Sequence, residues 1–101
     1  MARLVLTADS ILKLPRHVVL RHDKVRGRWV ILAPERVLVP DDVAVTVLQR
    51  LDGVMTLASI ATDLARVYAA PVEAILADII ALLQDLADRN FLTANEDALH
   101  G

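Results

Sequence analysis

The chain has no cysteine, three histidines, and one residue each of tryptophan, tyrosine and phenylalanine among 101 residues. Without cysteine there is no disulfide and no thiolate metal site. With 3% aromatic residues there is little ring surface on which nucleic-acid bases could stack. No apolar run approaches the ~20 residues of a membrane span. The N-terminal run Leu4-Val5-Leu6 is too short for a signal peptide. These absences predict a soluble, cytoplasmic protein that does not enter a membrane.

Catalytic equipment is equally scarce. There is no glycine-rich phosphate loop, no H-E-x-x-H and no G-x-S-x-G. Ser10 and Ser59 have no base near them in sequence. His17 and His22, five apart on an expected strand, project to opposite faces and cannot together hold a metal. Asp41-Asp42 is a possible carboxylate pair, but a helix cap followed by a first-turn acid accounts for both. The expectation is a non-enzymatic protein with no metal and no cofactor of its own.

What is present is aliphatic and unevenly charged. Hydrophobic residues make up 55% of the chain, enough for one aliphatic core in one domain. Residues 1–36 carry eight Arg/Lys and three acids, whereas residues 37–101 carry three bases and ten acids. Such asymmetry either steers an acidic partner to the first half or is a solvated basic hairpin beside an acidic helical half.

The pattern predicts α+β: a three-stranded antiparallel β-meander followed by a three-helix bundle, winged-helix-like in layout. Residues 1–16 read as an irregular arm, cut short by Pro15, whose apolar side chains need somewhere to dock. Residues 17–92 are the domain and 93–101 a frayed tail. Strands are expected at 17–23, 29–33 and 36–39, with Gly27 in the first hairpin loop and Pro34-Glu35 as the second turn. The last strand is an edge, and Pro40 blunts only one end of it. Asp41 or Asp42 caps a helix over about 42–51. Thr56 caps a second over about 57–69, with Leu57, Ile60, Ala61, Leu64, Val67 and Tyr68 on one face. Pro71 opens a third over about 71–89. Its apolar residues, from Val72 to Ala87, span roughly 160°, against the 100° or so that a single neighbour requires. That surplus predicts a second apolar neighbour, either the sheet or something brought from outside.

An edge strand beside a helix with surplus apolar surface is a groove suited to an extended peptide added as a further strand. Arg36, Val37, Leu38 and Val39 would supply the strand, and Ile75, Ile79, Leu82 and Leu86 the helix side. Arg36 is placed to attract an acidic peptide side chain, and Leu38→Pro is expected to remove an edge donor. Asp78 and Asp85, on the helix's polar edge, are candidates to meet a protein partner. The alternative is a winged-helix nucleic-acid binder with the third helix in the major groove. Acids at 73, 78, 85 and 88 on that helix oppose it, because phosphate repels them.

These residues resemble the PqqD family, the small peptide chaperones of pyrroloquinoline quinone (PQQ) biosynthesis, and the wider class of recognition elements for ribosomally made, modified peptides. The resemblance runs over about 16–92. It is carried by Leu20-Arg21-His22-Asp23, Arg26-Gly27-Arg28-Trp29, Ala33-Pro34-Glu35-Arg36, Val37 to Asp41, Leu51-Asp52-Gly53, Asp85-Leu86 and Leu92. His22 stands where an aromatic is more usual. The resemblance implies a three-stranded sheet on a three-helix bundle. It also implies binding of the precursor peptide PqqA, whose glutamate and tyrosine become the cofactor, and delivery to the radical S-adenosylmethionine (SAM) enzyme PqqE. From the exposed sheet edges and the apolar arm, a homodimer by exchange of arm or hairpin is also expected.

Overall fold

A computed structural model describes residues 4–94. Its first sheet is the expected meander, in the order β2 (Val19–Asp23), β3 (Arg28–Ala33), β4 (Arg36–Leu38). Leu20, Ile31 and Leu38 stand side by side across the three strands. Ile31 is 1% exposed, so this row marks the face that packs on the helices. Val19, Leu32 and Val37 form the next row, on the outer face. The β2–β3 loop is built by Asp23. Its carboxylate accepts the N–H groups of Val25 (3.0 Å) and Arg26 (3.2 Å), and Gly27 takes φ 67°. The β3–β4 turn is the two residues Pro34-Glu35, with Glu35 at φ 61°. Proline first and a left-handed residue second is type II turn chemistry.

Helix α1 (Asp42–Leu48) is capped by Asp41, whose carboxylate accepts Ala44 N–H at 2.7 Å. It is shorter than expected because Asp52-Gly53 opens a strand rather than closing a helix. That strand, β5 (Asp52–Thr56), pairs antiparallel with β1 (Ile11–Lys13), and β6 (Thr93–Ala94) pairs with the other edge of β1. This second sheet, in the order β5-β1-β6, corrects the expectation of an irregular arm and of a tail frayed from residue 93. Residues 95–101 of that tail lie outside the described residues. The arm's apolar side chains, expected to need somewhere to dock, find it on their own core: Leu6 is 5% and Leu12 1% exposed.

Helix α2 (Leu57–Tyr68) begins where Thr56 accepts Ser59 N–H at 3.1 Å. The arm completes that N-terminus. Ser10 and Ala8 carbonyls accept the N–H groups of Leu57 (3.0 Å) and Ala58 (2.9 Å), two of the four donors a helix start leaves without intrahelical partners. Helix α3 (Val72–Asp88) follows Pro71, which is its N-cap rather than its first residue. Gln84 of α3 clamps the arm's backbone from both sides, accepting Leu6 N–H at 2.9 Å and donating to Leu4 C=O at 2.7 Å. The core is Leu57, Ile60, Ala61 and Leu64 of α2 against Ile79, Leu83 and Leu86 of α3, closed by Phe91 and Leu92. Val67 and Tyr68, expected on the same face of α2, are 64% and 45% exposed.

Two loop carboxylates make the fold sensitive to acid. Backbone N–H donors hold both Asp52 (from Met55 and Val54) and Asp23 (from Arg26, whose guanidinium adds to the effect, and Val25) below the ordinary value of 3.8. A lowered folded pKa contributes stability that is present above the unfolded value and is lost as pH falls through the folded one. A carboxyl-carbon NMR titration is expected to show both groups more than half ionised at pH 3.8, with these hydrogen bonds lost only in stronger acid. Titration of either at or above 3.8 would contradict the loop geometry.

Candidate peptide-binding groove

The β3–β4 turn decides which backbone groups of β4 are free. In a two-residue hairpin the closing pair, Ala33 and Arg36, exchanges both hydrogen bonds. Bonded and non-bonded pairs then alternate, so Leu38 is bonded to Ile31 and Val37 faces Leu32 in a non-bonded pair. The N–H and C=O of Val37 therefore point away from the sheet at its open edge. The Leu38 N–H points inward, which corrects the expectation that Leu38→Pro would remove an edge donor.

Between this edge and α3 lies a groove of about 190 Å³. Ile31, Leu38 and Ala44 lie along it, with Val39 and Pro40 on one side and Leu82 and Leu86 on the other. It shares Asp41, Ala44 and Leu82 with a second cavity of about 290 Å³ beneath α1, α2 and α3, where Ile75, Ile79 and Tyr68 lie. The two adjoin at these shared residues and are together termed the trough. They occupy the surplus apolar side of α3, whose Ile75 and Leu82 are only half-buried.

Leu38, Val39, Leu82 and Leu86 meet in the first part of the trough, and Ile75, Ile79 and Leu82 in the second. Val37 stands apart: its side chain is 66% exposed on the outer face, and only its backbone belongs to the edge. Arg36, though exposed, reaches across to the end of α3. It donates to the Arg89 carbonyl at 2.6 Å and its guanidinium lies 4.2 Å over the Phe91 ring, tying β4 to the end of α3. Asp85 and Asp78 both border the trough, one in each part. Asp85 pairs with Arg89 at 3.4 Å. The sequence does not single out Asp41, Tyr68 or Arg89 as groove residues: Asp41 reads as a cap or carboxylate pair, Tyr68 as a core residue and Arg89 as the one base at the end of α3. All three line the trough; Arg89, one turn after Asp85 and Leu86, carries a sequence signal, whereas Tyr68 on α2 and Asp41 at the α1 cap are brought there only by the fold.

Among the described residues no three His, Asp or Glu side chains gather as a metal site, and no helix is long and apolar enough to cross a membrane. The exposed side of α3 carries Glu73, Asp78, Asp85 and Asp88, a surface that phosphate would repel.

Residues 28–92, which contain the whole trough, match the family described as Coenzyme PQQ synthesis protein D (PqqD). The chain belongs to the PqqD family. It is 59% identical over 80 residues to the PqqA binding protein of Bradyrhizobium diazoefficiens, covering 79% of this chain and 78% of that one. It is 46% identical over 88 residues to the PqqA binding protein of Rhizobium meliloti, covering 87% and 90%. Among solved structures it resembles the PqqD truncation of Methylobacterium extorquens PqqCD, described as a functional, stand-alone recognition element for ribosomally synthesized and post-translationally modified peptides. That match has a TM-score of 0.77 and 42% identity over 87% of this chain and 94% of that one. The crystal structure of PqqD from Xanthomonas campestris matches with a TM-score of 0.56 at the same identity, over 87% and 98%. The PqqD match begins at Arg28, so the arm, β1 and β2 lie outside it.

Proposed function

We propose that this chain is the peptide chaperone of PQQ biosynthesis, a recognition element and not an enzyme. It binds the precursor peptide PqqA by strand addition along β4 and presents it to the radical SAM enzyme PqqE. The observation that carries this is the outward N–H and C=O of Val37 beside an apolar trough. A peptide strand takes its backbone bonds from the edge and its side-chain pockets from α3. The names of the relatives support PqqA as the ligand. The PqqD part of a longer PqqCD chain is a case of the module joined to another protein of the same series, which fits a carrier working beside an enzyme. Presentation leaves the outer sheet face and the basic β2–β3 loop open to PqqE. A homodimer by arm exchange would have to take β1 from between β5 and β6 of its own chain. The arm's own docking speaks against exchange of the arm, and the open sheet edges remain the ground for a homodimer.

The test is a backbone-amide NMR titration with synthetic PqqA. Shifts are expected along Arg36–Val39 and on the Ile75–Leu86 side of α3. A folded sample with shifts confined to the outer sheet face, or with none, would refute strand addition.

A further inference from the structure

The trough changes in charge along its length. Towards the end of α3 its lining carries Arg89, paired with Asp85, with Arg36 beside it, whereas Asp41 and Asp78 line the cavity by the start of α1. At the acidic end the floor is Val47, Leu64 and Ile79, none more than 3% exposed. Above it are two carboxylates and the ring of Tyr68. Asp41 uses one carboxylate oxygen on Ala44 N–H, which leaves the other. Asp78 is exposed and, among the described residues, makes no hydrogen bond or ion pair. An apolar floor under two unneutralised carboxylates and an aromatic ring suits a cation on an aliphatic stem. Methylenes cover the floor while the charged head stays at the wet rim, attracted by carboxylate and ring.

We propose that this cavity receives a lysine or arginine side chain of the bound peptide, just beyond the segment paired with β4. The proposal rests on strand addition and adds to it a specificity determinant with a direction. In an antiparallel arrangement the cationic residue precedes the paired segment; in a parallel one it follows. A neutral apolar residue could fill the floor but would gain nothing from the two carboxylates.

The probes are synthetic PqqA and copies in which each lysine or arginine in turn is replaced by norleucine, which keeps a stem and removes the charge. The protein variants are Asp78→Asn and Asp78→Lys. Asp78 is exposed and makes no hydrogen bond or ion pair among the described residues, so both variants are expected to remain folded. Asp78→Asn is expected to weaken binding roughly two- to fivefold at low salt, as for an exposed ion pair. Asp78→Lys is expected to weaken it about tenfold, since repulsion replaces attraction. Both losses shrink as salt rises. One norleucine copy is expected to lose as much as Asp78→Asn and to lose nothing more when combined with it. Asp78→Lys that binds as tightly as the unaltered chain, with Val37 amide shifts intact, would overturn the cation while leaving strand addition standing. A norleucine copy that binds tighter would assign the cavity to an apolar residue and overturn it too. Loss of the Val37 shifts with the unaltered pair would remove strand addition and the cation together.

Discussion

Val37→Pro is expected to abolish peptide binding in a domain that remains folded. The substitution takes away the N–H that points out of β4 and puts a ring in the path of an incoming strand. An edge position tolerates proline because no ladder bond within the sheet is lost. The Val37 side chain is 66% exposed, so little packing is lost with it. The peptide carbonyl that would have met this N–H is left unpaired against an apolar trough, which costs about 1–3 kcal/mol before the ring's clash is added. The combined effect is about 2–4 kcal/mol, or roughly 30- to 1,000-fold in affinity. Val37→Ala keeps the N–H and is expected to bind within about threefold, on the order of 0.6 kcal/mol. Leu38→Pro provides the contrast. Its N–H belongs to the β3–β4 ladder and its side chain packs on the core, so it should disrupt the hairpin itself, at about 3 kcal/mol or more. Calorimetric titration alongside circular dichroism separates the cases. A folded Val37→Pro chain with undiminished affinity would mean that the peptide does not add to this edge.

The exchange of Leu38 for Val37 shows where sequence reading reached and where it stopped. Pro34-Glu35 was legible as a turn, and a two-residue turn fixes the parity of the strand after it, so the free residue could have been deduced from the same four letters. The caps at Asp41 and Thr56 were legible because a side-chain oxygen before an apolar run has a local job. The surplus arc of α3 was legible because 17 residues give periodicity time to show. The second sheet was not. Its strands are three, five and two residues long, and they join segments some 40 and 80 positions apart. At that length alternation carries no signal, and the pairing is decided by what the rest of the fold leaves open. The partners of Arg36 were hidden for a similar reason: the Arg89 carbonyl and the Phe91 ring exist as a site only after α3 has ended and the chain has turned back.

The second sheet has a large consequence for stability. Leu12, at the centre of β1, is 1% exposed and belongs to the main core cluster. Leu12→Ala is expected to lower stability by about 3 kcal/mol, from lost burial plus the cavity left behind. In a domain of this size that is a fall of roughly 12–24 °C in Tm. Val5→Ala, in the same arm but at a side chain 64% exposed, is expected to change stability by less than about 0.5 kcal/mol. If the arm were an undocked strap, both would be silent, and a Leu12→Ala cost below about 0.5 kcal/mol would show it. If instead the arm were exchanged between two copies, Tm would rise with protein concentration, whereas a self-docked arm gives a constant one. Binding is a separate readout. Gln84, which holds the arm, and Leu82, which lines the trough, are two positions apart on α3 and so lie about 200° apart around it. The arm therefore braces the helix from the side opposite the trough. Folded Leu12→Ala chain is expected to bind with nearly unchanged affinity at temperatures well below its lowered Tm.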